Sequence, residues 1–105
     1  MPKYRKNSLE ARIDHILPEF PSYDVIAHEL MGDGDGGWCV NDSWKMGRGC
    51  DREEAIEHLK NRWEIFKLNY HPRARVKDLD NVGDEYGALL EVDCIAFGEV
   101  RNADQ

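Results

Sequence analysis

Apolar residues recur along this chain at two different spacings, and the change of spacing divides it into elements. In Asp51–Tyr70 (DREEAIEHLKNRWEIFKLNY), Ile56, Leu59, Trp63, Phe66 and Tyr70 fall at steps of three and four. Those steps put them on one stripe of a helix. Asp51 can cap the free N–H groups of the first turn, and Glu54 can reach back to the Asp51 N–H. Glu53, Glu54 and Glu57 sit at the positive end of the helix dipole and Lys67 near the negative end. His71-Pro72 stops the helix, because proline disfavours helical geometry in the residue before it. A second, shorter helix is predicted over Ser8–Leu17. Ser8 is its cap, and Leu9, Ile13, Ile16 and Leu17 form its apolar stripe, before Pro18 and Pro21 end it.

Elsewhere the period is two. Tyr23–Leu30 alternates Tyr23, Val25 and Ala27 with Asp24, Ile26 and His28. Ile26 and Leu30 on the polar side imply that both faces are partly covered. Gly32–Gly37 (GDGDGG) is a turn, and Trp38–Met46 returns, with Trp38, Val40, Trp44 and Met46 in one phase. Arg73–Leu79 reads as a third strand, and Asp80–Gly87 as a loop. Ala88–Val100 reads as the last and longest strand. One of its phases (Ala88, Leu90, Val92, Cys94, Ala96, Gly98, Val100) is wholly apolar or small and should meet the helix. The other carries Leu89, Glu91, Asp93, Ile95, Phe97 and Glu99. The order is α-β-β-α-β-β. It predicts an α+β domain over residues 8–105: a four-stranded antiparallel sheet with the long helix across one face and the short N-terminal helix at an edge or on the other face. Residues 1–7 are predicted to be a flexible basic tail.

Charge changes the picture more than size does. The net charge is −7 over 105 residues. Lys3, Arg5 and Lys6 stand in the tail, so the body is more acidic still. Such a body does not suit a general nucleic-acid binder; it suits a protein partner with a basic surface. The three cysteines, Cys39, Cys50 and Cys94, are odd in number and lack CxxC spacing, which argues against a disulfide framework or a zinc site. No apolar run approaches the roughly 18 residues of a membrane span. The opening MPKYRKNS lacks the apolar stretch of a secretory signal, so a cytoplasmic protein is expected.

None of the usual catalytic spacings is present. Asp33-Gly34-Asp35-Gly36-Gly37 fails as a calcium loop, because its fifth, sixth and twelfth positions are Gly37, Trp38 and Trp44. His15, His28, His58 and His71 lie on four separate segments with no HxxxH spacing. An enzyme would need His28 or His71 to meet Cys39 or Cys50 in space. No catalytic residue, metal or cofactor is therefore expected. The sharper reading of the last strand is a contact surface. Leu89, Ile95 and Phe97 make an apolar patch among Glu91, Asp93 and Glu99, which fits a partner protein or a second copy of the chain. Arg73, Arg75 and Lys77 form a basic stripe that could contact nucleic acid.

One resemblance bears on function. Asp35-Gly36-Gly37-Trp38-Cys39-Val40 closes the hairpin, and Asp51-Arg52-Glu53-Glu54-Ala55 opens the helix. Together they are similar to the start of HicB-type antitoxins, which carry a DGG-aromatic hairpin and then a T/D-x-E-E-A helix. The resemblance covers about a third of the chain and implies an antitoxin-like, nucleic-acid-linked module. The sequence departs from the family in Ser43–Cys50, which lacks the Pro-containing link and third strand. It departs again in the C-terminal half, which supplies strands where the family has a DNA-binding helical motif. The leading expectation is a non-catalytic acidic inhibitor or accessory factor of a larger nucleic-acid-handling machine. Anti-CRISPR and anti-restriction proteins of phages and plasmids share its size and charge.

Overall fold

A computed structural model of the chain describes residues 4–6, 8–32, 34–35, 38–69, 86–92 and 95–104. Within these, Ile16, Trp38 and residues 66–69, 86–92 and 95–96 are described by their backbone. The protein is α+β. In chain order the elements are α1 (Leu9–Ile16), β1 (Tyr23–Gly32), β2 (Trp38–Cys50), α2 (Arg52–Asn69), β3 (Tyr86–Val92) and β4 (Ile95–Asn102). The strands pair antiparallel in the order β2-β1-β4-β3.

Both helices start where local chemistry placed them. Ser8 Oγ accepts from the Ala11 N–H at 3.1 Å and caps α1. At α2, the Glu54 N–H donates to Asp51 Oδ1 at 2.8 Å, and the Asp51 N–H reaches Glu54 Oε1 at 3.5 Å. This is the reciprocal cap read from the sequence. The buried stripe of α2 is Ala55, Ile56 and Leu59, with Trp63 packed against the core. The side chains of Phe66 and Tyr70, expected to continue it, lie outside the described residues.

The strands of the C-terminal half are not those the alternation predicted. Residues 88–100 are not one strand: β3 and β4 form a hairpin, with Val92 opposite Ile95. The alternation of residue types persists through positions 93 and 94 and no glycine or proline stands there, so periodicity alone joined the two. The strand expected over Arg73–Leu79 lies outside the described residues. β2 runs four residues beyond the predicted end, to Cys50. Its register against β1 slips three times: Asn41 and Met46 have no partner of their own between neighbouring pairs, and Arg48 and Gly49 together stand against Asp24. Each slip turns the alternation over, so Val40 and Trp44 cannot be assigned one face by counting in twos.

β1 is the centre of the sheet. Tyr23, Val25 and Ala27 are buried, and so are Ile26 and Leu30 from the other phase. The core adds Ile13, Leu17, Phe97 and Val100. α2 lies close on the Ala27–Gly98 face: a methyl group on Gly98 would come within 3.3 Å of a Leu59 methyl and 3.6 Å of Arg62 Cγ. α1 is fastened by Arg52 at the start of α2. Arg52 donates to Asp14 Oδ1 at 2.7 Å and to the carbonyls of Pro18 and Leu17, both at 3.1 Å. It also donates to the Tyr23 hydroxyl at 2.9 Å, and that hydroxyl donates to the Pro18 carbonyl at 2.6 Å. One guanidinium thus satisfies carbonyls that the end of α1 leaves without helical partners. The short helix joins α2 rather than covering the back of the sheet.

Candidate functional site

The pairing of β1 with β4 stops at Ala27–Gly98. The next pair would be His28 and Phe97. Instead, Arg62 of α2 enters at this fork: its Nε donates to the Phe97 carbonyl at 3.1 Å and an amino nitrogen donates to the His28 carbonyl. Arg62 is only 4% exposed, and its guanidinium lies 5.3 Å from the centre of the Trp44 ring. A buried charge is tolerated because its donors meet the two carbonyls that the parting strands release. Beyond the fork, the β1–β2 hairpin continues as an arm without β4 beside it.

On the other face of the same point, three strands converge. Cross-strand pairs share a face, so Ser43 stands beside His28, and Glu99 and Lys45 flank Ile26. His28 Nδ1 meets Ser43 Oγ at 2.6 Å, and His28 Nε2 meets Glu99 Oε1 at 2.7 Å. Arg101 donates to the same Glu99 oxygen at 3.2 Å. The Glu99 residue is 4% exposed. Burial pushes its carboxyl up, but the hydrogen bond from His28 and the charge of Arg101 outweigh that and hold it below the ordinary 4.5. An ionised carboxylate can only accept, so Nε2 carries the proton. In the neutral ring Nδ1 is then the acceptor for the Ser43 hydroxyl. Glu99 therefore fixes the tautomer that makes Nδ1 basic toward Ser43.

Farther along this face, Lys45 Nζ meets Asp24 Oδ2 at 3.0 Å, and the Gly49 N–H donates to Asp24 Oδ1 at 3.1 Å. The lysine hydrogen bond first, then the Gly49 N–H, hold the Asp24 carboxyl below its ordinary value against a smaller effect of burial. Gly49 is the one β2 residue at positive φ, 59°, which lets the strand turn its N–H inward before α2 begins.

The arm carries the exposed apolar side chains. Met31 and Val40 are each more than two-fifths exposed, as are Trp44 at the base of the arm, opposite Ala27, and Ile65 on α2. Among them Glu29 stands directly opposite Asp42. Two carboxylates facing across strands repel, and the Asn41 amide, donating to Glu29 at 2.7 Å, offsets this only in part.

The sequence-derived contact surface is not where it was expected. Phe97 is fully buried, its ring 5.7 Å from that of Trp63, and Glu99 is buried against His28. They belong to the inside of this chain, because the strand they occupy is central in the sheet. The side chains of Leu89, Glu91, Asp93 and Ile95, and all of Arg73, Arg75, Lys77 and His71, lie outside the described residues. Neither cysteine meets His28: Cys39 is opposite Met31 and Cys50 opposite Tyr23. Cys50 and His58 both lie against Gly47. A methyl group on Gly47 would lie 2.8 Å from the Cys50 sulfur and 2.8 Å from the His58 ring, so a larger residue there would displace one of them. Burial, and after it the charges of Glu54, Asp51 and Asp24, push the Cys50 thiol up, away from a reactive thiolate. Among the described residues, no group of three or more His, Cys, Asp or Glu is placed to hold a metal ion. Among them also, no helix is long and apolar enough to cross a membrane.

The Ser43–His28–Glu99 array was missed in the sequence because its members are 15 and 71 residues apart. Counting back from the turn would have paired His28 with Asp42; the slip at Asn41 brings Ser43 there instead, and nothing local announces Glu99. No family model matches this chain, and no curated protein or solved structure shows significant similarity to it. The HicB-type resemblance therefore stands on its hairpin and cap residues alone.

Proposed function

We propose that this protein is a protein-binding module whose contact surface is the arm of the β1–β2 hairpin. It takes a partner that presents a basic, apolar-lined surface, as the nucleic-acid-facing groove of a larger machine does. The observation that supports this reading is the composition of the arm. Met31 and Val40 are exposed there and Trp44 at its base, with the opposed carboxylates Glu29 and Asp42 between them. Exposed apolar side chains and like charges held face to face are both costly in the free protein, and a basic apolar partner relieves both. The surface differs from the one first expected, since Phe97 and Glu99 are inside the protein. The class of partner is the same.

A photo-crosslinking residue at Val40, compared with one at the exposed Glu57, identifies the partner. Binding of the purified partner is then measured by calorimetry. Affinity should weaken with added salt and fall at least about tenfold in the Glu29→Lys/Asp42→Lys variant and in Trp44→Ala. Unchanged affinity in both variants would remove the arm as the contact surface.

A further inference from the structure

Beyond partner binding, we propose that Ser43, His28 and Glu99 form a nucleophilic relay that transfers acyl groups from small activated carboxylic esters to water. The three residues meet the geometric requirement for such a relay. The hydroxyl is 2.6 Å from one ring nitrogen, and the orienting carboxylate is 2.7 Å from the other. The base must also gain a proton without rearrangement. If Nδ1 takes the serine proton, the resulting imidazolium still has a hydrogen-bond partner at each nitrogen, with the Glu99 carboxylate buried beside it. Exposure is graded in the right sense: Glu99 is inside, His28 is mostly covered and Ser43 is open to solvent.

The step balances within the ester and water. Ser43 Oγ attacks the carbonyl carbon as its proton passes to His28 Nδ1. The adduct collapses, the carbon–oxygen bond to the leaving alcohol breaks, and His28 returns the proton to that alcohol. Water then attacks the acyl-serine by the same route, releasing the acid and restoring the hydroxyl. The Ser43 N–H donates to Asp42 Oδ1 at 2.8 Å and is not available to hold the oxyanion. The relay therefore suits esters whose leaving group departs readily. The open strand surface suits small ones.

The other serines are internal controls. The sequence holds Ser8, Ser22 and Ser43. Ser8 caps α1, and Ser22 donates to Asp104 at 3.4 Å. The test treats the full chain with a fluorophosphonate probe, maps the adduct by mass spectrometry, and follows p-nitrophenol release from p-nitrophenyl acetate. The expected result is labelling at Ser43 over Ser8 and Ser22, with a burst of p-nitrophenol. The exposed Ser43→Ala change should abolish both. Glu99→Gln should slow acylation by about 10²-fold, because it removes the carboxylate that holds His28 in the tautomer whose Nδ1 accepts the serine proton. It should also move the midpoint of the pH–rate profile, which a merely structural serine would not do. The charged groups on the His28 face that bear on that profile are Asp24, Lys45, Glu99 and Arg101. Labelling spread evenly over the three serines, or a Ser43→Ala rate equal to that of the unaltered protein, would overturn the relay. Either result leaves partner binding by the arm untouched, because Trp44, Glu29 and Asp42 are separately varied.

Discussion

The two ends of the same hairpin live in different physical settings. From Tyr23 to Ala27, β1 has β2 on one side and β4 on the other, with α1 and α2 packed over Tyr23, Val25 and Ala27. From His28 outward the β4 partner is gone, and Met31 and Val40 face solvent, while the half-exposed Trp44 stands opposite Ala27 at the boundary. The boundary between the two is one residue wide. The His28 carbonyl receives Arg62, and its ring joins Ser43 and Glu99. The contrast teaches that a strand can serve a core and a contact surface at once, provided something seals the place where its neighbour leaves. Here a buried arginine seals one face and a histidine–carboxylate pair the other.

The largest effect should come from the closed end. Phe97→Ala empties a fully buried site against Trp63 and should cost about 3–5 kcal/mol, read by urea unfolding. Met31→Ala on the arm should cost no more than about 0.5 kcal/mol, as surface changes do. Equal costs would erase the distinction. Next comes the seal. Arg62→Met leaves the His28 and Phe97 carbonyls without their donor and should cost about 2–3 kcal/mol. Amide exchange should rise first in residues 28–44, before the Tyr23–Ala27 segment loosens. Simultaneous loosening would mean that the arm and the closed end are one cooperative unit.

Arg52→Ala should cost less, about 1–2 kcal/mol, since its side chain is partly exposed. It should free α1 while the hairpin keeps its exchange protection. The smallest effect is a pH dependence. The Glu99 carboxyl lies below its ordinary 4.5 in the folded state, so its contribution is complete above that value and lost as pH falls through the folded value. Asp24 acts in the same sense. The Glu99→Gln variant should therefore lose less stability than the unaltered protein between about pH 5 and pH 2. Identical acid limbs would show that the pair adds nothing to the boundary.

What could be read from the sequence follows how far each signal reaches along the chain. The Asp51/Glu54 cap is decided within four residues and was legible. So was the hairpin around the glycine-rich turn. The division of residues 88–100 was not, because the alternation continues through Asp93 and Cys94 and no glycine or proline interrupts it. The burial of Phe97 and Glu99 was not legible either. It depends on β4 pairing with β1 across more than 70 residues, and on Trp63 and His28 waiting there. Arg62 was not singled out by its spacing alone. It follows Leu59 by three positions, on the buried side of α2, and only the fork in the sheet explains why a charge can stand there.

The close of β4 also settles where the molecule can be held. Asn102 lies opposite Tyr23, and the Ala103 N–H donates to the Ser22 carbonyl at 3.2 Å. Gly32 is nine strand steps away, about 30 Å at the usual rise. A biotin or fluorophore attached after Asp104 would thus stand at the opposite pole from the hairpin tip. A sensor chip coated through that handle would display Met31 and Val40 outward, ready for a passing analyte.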